Sequence, residues 1–131
     1  MLHHVSVGAS DIGRATKFYD AALAPLGMER VMEFGAHKSG NAAVAYGAKG
    51  RAEFWVQLPH DGQPASSGNG VHICFTAPSI EAVQAFHEAG LKAGGADDGA
   101  PGPRSQYSPD YYGAFLRDPD GNKIEAVRFG T

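Results

Sequence analysis

One cysteine, Cys74, is all the thiol the chain carries. A single cysteine forms no internal disulfide, so stability must come from a packed core, and this usage fits a reducing, cytoplasmic setting. Positive charge is in the minority: 11 Lys and Arg stand against 14 Asp and Glu, for a net charge of −3. With no basic stripe, nucleic acid is not an expected partner. No apolar run nears the ~20 residues needed to cross a bilayer, so no membrane is expected either. The first residues lack the basic-then-apolar pattern of a secretory leader. Glycine, by contrast, is plentiful at 18 residues, clustered in loops as tight turns require. The 131 residues, 43% apolar and 19% charged, suit one globular domain over 1–131 with its own core.

Within that ordinary composition, two stretches match. Val71-His72-Ile73-Cys74-Phe75-Thr76 is short, apolar and bounded by Gly68-Asn69-Gly70 and Pro78-Ser79, which predicts a strand. Sliding the chain by 68 residues lays His72 on His4, and Ile80, Phe86 and Leu91 on Ile12, Phe18 and Leu23. One offset held through a strand, a turn and a helix argues for an internal repeat. The repeat predicts two equivalent modules, the first about 1–58 and the second about 71–131, joined by a Gly/Pro/Ser-rich linker over 59–70.

Taken in order, residues 2–7 predict a strand with Leu2, His4 and Ser6 on one face and His3, Val5 and Val7 on the other. Ser10 is read as the N-cap of a helix whose apolar face is Ile12, Ala15, Phe18, Ala22 and Leu26, ended by Pro25 and Gly27. Strands follow over 28–34, 41–46 and 52–58, the last carrying Glu53, Trp55 and Gln57 on one face. In the second module, the strand at 71–76 leads to a helix over 79–93 with Ile80, Val83, Phe86 and Leu91 as its apolar set. Residues 96–107 read as a long loop, and long loops in compact domains are often functional. Strands at 111–117 and 123–129 flank the turn Asp118-Pro119-Asp120-Gly121-Asn122. The fold class is therefore α+β: two tandem βαβββ modules, each a sheet with a helix packed on one side. Cys74 is read as a small buried hydrophobe.

The same offset carries Glu125 onto Gln57. The modules thus offer His4 with Gln57 and His72 with Glu125, four polar positions that converge if the modules face each other across a pseudo-twofold axis. Two imidazoles and a carboxylate on rigid strands suit Zn, Ni, Fe, Mn or Co and leave positions open for water or substrate. The competing arrangement pairs Glu125 with Lys123 or Arg128 at the surface. His37, His60 and His87 have no partner spacing and are read as solvated; His3 is read as structural and pointing away from His4.

Leu2-His3-His4-Val5-Ser6-Val7, Gly70-Val71-His72-Ile73 and Asp118-Pro119-Asp120-Gly121-Asn122-Lys123-Ile124-Glu125 together resemble the signature stretches of the vicinal-oxygen-chelate superfamily, the glyoxalase, bleomycin-resistance and extradiol-dioxygenase group. The resemblance spans the chain and implies that the two modules form a cupped, partly closed mixed sheet with the helices outside, around a divalent metal held by His4, His72 and Glu125, with Gln57 as a further ligand and Glu125 also catalytic. It implies a glyoxalase-like metal-dependent lyase or isomerase acting on a small oxygen-chelating substrate, assembled as a homodimer. Gln57 stands where glyoxalase I usually has a second glutamate, and an amide takes up no proton near neutral pH. An extradiol-type dioxygenase on Fe(II) and a metal-free drug- or small-molecule-binding protein of the bleomycin-resistance type therefore remain as alternatives. Trp55, Arg104, Tyr107, Tyr111 and Tyr112 are the candidate substrate contacts, Arg104 as a partner for a carboxylate or phosphate.

Overall fold

The computed structural model describes residues 1–35 and 42–130. The start of the predicted third strand, at Asn41, and His37 lie outside them. In chain order the elements are β1 (Val5–Gly8), α1 (Ile12–Leu23) continued by a short 3-10 turn (Ala24–Leu26), β2 (Glu29–Phe34), β3 (Ala43–Gly47), β4 (Phe54–Gln57), β5 (His72–Thr76), α2 (Ile80–Lys92), β6 (Ala96–Pro103), β7 (Tyr111–Arg117) and β8 (Lys123–Phe129). They form two four-stranded sheets, ordered β1-β4-β3-β2 and β5-β8-β7-β6. In each, the first and last strands of the module pair parallel and the other neighbours antiparallel. The two βαβββ modules and the mixed α+β sheets match the expectation. Among the described residues no strand of one sheet pairs with a strand of the other, so the two sheets are not closed on each other.

Alternation along the strands sorts the side chains. Val44, Tyr46, Phe54 and Val56 in the first sheet and Leu116, Ile124 and Ala126 in the second turn to the core. They meet Ile12, Phe18, Tyr19, Val83 and Phe86 from the helices, all 0–1% exposed. The helices pack against each other and, at one spot, almost touch: a Cβ added to Gly90 would stand 2.4 Å from Leu116 Cδ1 and 3.2 Å from Phe18 Cε1. Glycine at that point of α2 lets the Phe18 ring seat. The predicted apolar set of α2 is corrected accordingly: Val83 and Phe86 are buried, Leu91 is 40% exposed, and Gly90 takes the inward position.

The modules are also joined by the Asp118–Asn122 turn. Buried Asp118 accepts a hydrogen bond from the Tyr19 hydroxyl, on α1 of the other module, at 2.6 Å, and from the Asp120 and Asn122 amides and Asn122 Nδ2 at 2.8–2.9 Å. Asn122 Nδ2 also donates to the Gly8 carbonyl at 2.9 Å. Burial and the Asp118 carboxylate hold the Tyr19 hydroxyl well above its ordinary pKa, so it stays a donor. Ser10 is drawn into this turn, donating its amide and hydroxyl to Asp120 Oδ1 at 3.0 and 2.6 Å. Asp11, not Ser10, therefore caps α1, accepting from the Arg14 amide at 2.9 Å.

Three further expectations change. Residues 96–103 are not loop but strand β6, an edge strand with register shifts against β7 around Gly99. His87 is 8% exposed rather than solvated, bonded through Nε2 to Asp97 Oδ1 at 2.8 Å, and so clamps β6 to α2. Cys74 is exposed, on the open face of the second sheet. Among the described residues no helix is long and apolar enough to cross a membrane.

Candidate functional site

Strand β8 lies inside its sheet, between β5 and β7, so Glu125 is 2% exposed although it faces away from the helix. A carboxylate so placed needs partners. His72 Nε2 lies 3.1 Å from Oε1. The Tyr111 hydroxyl, from β7, donates to Oε2 in a short hydrogen bond. The register explains the meeting: β5 pairs His72 with Lys123 and Cys74 with Glu125, so His72 reaches the carboxylate on the diagonal. Burial and this carboxylate raise the Tyr111 hydroxyl above its usual pKa. Crowding by the sheet, followed by the Glu125 charge, pushes the Cys74 thiol up to about 12 even though one side of the residue is open. The surface pairing of Glu125 with Lys123 or Arg128 does not occur.

The first module builds the same corner differently. Here β1 pairs Ser6 with Trp55 and Gly8 with Gln57. Since Cys74 pairs with Glu125, and Ser6 is the counterpart of Cys74, the counterpart of Glu125 is Trp55, not Gln57. The offset of 68 holds from strand to helix and becomes 70 at the last strand, because the second module has two more residues between its outer and inner strands. Gln57 sits two residue pairs further along, beside Gly8, in a cleft shared with the linker. Trp55 stacks on Phe34 of β2 with ring centroids 5.6 Å apart and planes 5° from parallel. His4 stands edge-on to it at 6.4 Å. His4 precedes β1, where strand alternation no longer governs, and its Nδ1 lies 2.9 Å from His3 Nδ1; the two rings do not point apart.

His4 and His72 both line a cleft of about 560 Å³ along the edges β1 and β5. Glu125 opens instead onto a second cleft of about 450 Å³, which His72 also lines together with Arg104, Tyr107 and Tyr111. Among the described residues no three His, Cys, Asp or Glu side chains gather as a metal-binding group. The chain thus brings His72, Glu125 and Tyr111 together; His4 shares the first cleft with His72 but forms no metal-binding group with His72 and Glu125, and Gln57 lines neither cleft. Tyr107 is 61% exposed and packs edge-on to Tyr111 at 5.1 Å. Tyr112 turns the other way, accepting from Gln84 Nε2 of α2 at 3.0 Å, and faces neither cleft. Phe115 and Lys123 also line the second cleft; Lys123, read only as a surface partner of Glu125, could have been found from sharing the Glu125 face of its strand.

Residues 1–126 match the family model of the Glyoxalase/Bleomycin resistance protein/Dioxygenase superfamily. No curated protein matches the chain in sequence. Among solved structures, a glyoxalase/bleomycin resistance protein from Albidiferax ferrireducens T118 is 43% identical, with 97% of each chain covered and a TM-score of 0.80. Glyoxalase I from Zea mays is 22% identical with a TM-score of 0.74, the alignment covering 96% of this chain and 45% of the maize chain. A glyoxylase/bleomycin resistance protein/dioxygenase domain from Frankia sp. EAN1pec is 19% identical, covers 98% and 97% of the two chains and has a TM-score of 0.72. The last two speak for the fold alone. Repeated modules, a buried glutamate met by a histidine on the open face of the second, and a family match over nearly every residue lead to one statement: the chain belongs to the Glyoxalase/Bleomycin resistance protein/Dioxygenase superfamily.

Proposed function

We propose that the protein is a metal-dependent lyase or isomerase of the glyoxalase type, acting on a small substrate that presents two oxygens, and that it works as a homodimer. The observation that carries this reading is Glu125: a carboxylate 2% exposed, turned away from the core and held between His72 and Tyr111. A carboxylate buried there is costly unless it is paired and hydrogen-bonded, and both its partners approach from the open face. His72 and Glu125 fit a divalent ion as adjacent nitrogen and oxygen donors, and His4 would complete the set from the first module of a second copy. Such an ion would act as a Lewis acid on the substrate oxygens. Within the chain, Tyr111 fixes the Glu125 carboxylate, and Cys74, protonated at neutral pH, adds no charge beside it. The aromatic pair Trp55 and Phe34 would supply an apolar wall. A second copy is favoured by the side chains left uncovered: Leu2, Phe34, Val71 and Phe129 are each more than half exposed.

Metal content of protein purified without an affinity metal tests the reading. About one divalent ion per chain is expected, lost on His72→Ala or Glu125→Ala. Mixing His4→Ala and His72→Ala chains should restore one site per mixed dimer; no restoration would defeat the shared site.

Trp55 favours a second reading. An indole in the place of the second carboxylate, stacked on Phe34, suits a flat apolar ligand, so the alternative is a metal-free binding protein of the bleomycin-resistance type. Quenching of Trp55 fluorescence by an aromatic ligand, undisturbed by chelator and by Glu125→Ala, would favour it.

A further inference from the structure

The cleft of about 450 Å³ beside Glu125 has the Phe115 ring in its wall and two cations over that ring. Arg104 Cζ is 5.6 Å and Lys123 Nζ 4.9 Å from the ring centroid. Arg104 has no carboxylate partner among the described residues. Its terminal nitrogens donate to the backbone carbonyls of Ala100, Gly102 and Pro103 at 2.7, 2.9 and 3.3 Å. A guanidinium carries five N–H groups, so these bonds orient it without neutralising it. Gly99 makes the pose possible: with φ at +152°, its missing Cβ would stand 2.9 Å from the Phe115 ring and 3.3 Å from Arg104. Lys123 has one weak partner, Asp98 Oδ2 at 3.5 Å, an oxygen that Arg117 Nε already holds at 3.0 Å. The other carboxylate in the wall, Glu125, is engaged by His72 and Tyr111. The cleft lining thus holds two cations and two carboxylates, but Asp98 is shared with Arg117, and Arg104 stands as an oriented cation that no carboxylate meets among the described residues.

We infer that this cleft binds a compact oxyanion, a carboxylate or a phosphoryl group carried by the small-molecule ligand, with Arg104 as the oriented donor and Lys123 as the second cation. Arg104 suits such a group because its free N–H bonds lie in one plane and can engage two oxygens together. Anchored there, the rest of the ligand begins beside His72 and Glu125. That placement rests on the proposed function, but the anion site does not, because it can be measured without metal or turnover; the two ideas fail separately.

The test is titration of chelator-treated protein with inorganic phosphate and, separately, acetate, following the Arg104 Nε–Hε resonance by NMR. Saturable shifts are expected, weakened by added salt. Tighter phosphate assigns a phosphoryl group, and tighter acetate a carboxylate. Arg104→Gln, read through the Lys123 side chain, should weaken binding about tenfold, the size of one charge-assisted hydrogen bond. Lys123→Gln should weaken it several-fold, and Lys92→Gln, remote on α2, not at all. Unchanged affinity in both cleft variants, or no saturable shift in the parent protein, overturns the inference.

Discussion

Tyr19→Phe probes the contact that ties the modules together. The substitution keeps the ring, which is 0% exposed and packs edge-on to Phe18 at 4.9 Å and tilted on Phe54 at 5.1 Å. It deletes only the hydroxyl that donates to Asp118 at 2.6 Å. Asp118 is 4% exposed, so water does not readily replace the lost donor. A hydrogen bond to a charged group contributes about 1.5–3 kcal/mol. Because Asn122 Nδ2 still serves the same Oδ2 at 2.8 Å, the lower half of that range, about 1.5–2 kcal/mol, is expected. With a urea m-value of about 1–3 kcal/mol per molar, the unfolding midpoint should fall by roughly 1 M. Asp118→Asn completes a double-mutant cycle, and the two changes should be strongly non-additive. A loss below about 0.5 kcal/mol in Tyr19→Phe, or simple additivity, would refute the claim that this bond carries inter-module stability.

Three more outcomes follow from the same geometry. Gly90→Ala gains about 1 kcal/mol of helix propensity but forces buried Leu116 and Phe18 apart, at about 1–3 kcal/mol, so thermal unfolding should show a net loss; a rise in melting temperature would contradict the close approach. Cys74, its thiol pushed up to about 12, should alkylate slowly at neutral pH despite its exposure, faster with rising pH, and faster again in Glu125→Gln; an ordinary rate in the parent protein would count against the crowded thiol. On Asp20, burial works toward a higher pKa, but hydrogen bonds from Arg30 and Tyr46 prevail and lower it. A lowered carboxylate pKa stabilises the fold above its unfolded value of ~3.9 and loses that contribution as pH falls through the folded value. Arg30→Gln should therefore lower stability near neutral pH, by no more than about 1 kcal/mol for so exposed a pair, and match the parent protein in strong acid; a gap that persists there would point to packing instead.

What the sequence disclosed, and what it hid, follows from range. Strand β5, its twin β1, and the helices after them were legible because periodicity and turn residues act over a few positions. The partner of Glu125 was not: equivalence by a fixed offset pointed to Gln57, whereas pairing across the sheet sets Trp55 there, and two extra residues upstream suffice to slip the match. Strand β6 was hidden because Ala96-Asp97-Asp98-Gly99-Ala100-Pro101-Gly102-Pro103 has poor intrinsic strand preference; the exposed edge of β7 imposes the conformation, with irregularities at Gly99. His87 looked solvated because its partner, Asp97, lies in that same unrecognised strand. His3 and His4 were separated by an alternation that begins only at Val5. Arg104 was found as a cation, but its backbone tether and the second charge over Phe115 exist only once β6 folds back on β7.

Since among the described residues no ladder bond crosses between the sheets, the peptide running from Leu58 to Val71 is a tether and not a beam. A protease nick at its exposed stretch His60 to Pro64 would leave every strand pair intact, with two pieces still clasped by Tyr19 on Asp118 and Asn122 on Gly8. Each half carries a complete sheet and its own helix, so exchanging halves between neighbouring copies requires re-routing that tether and unmaking no strand.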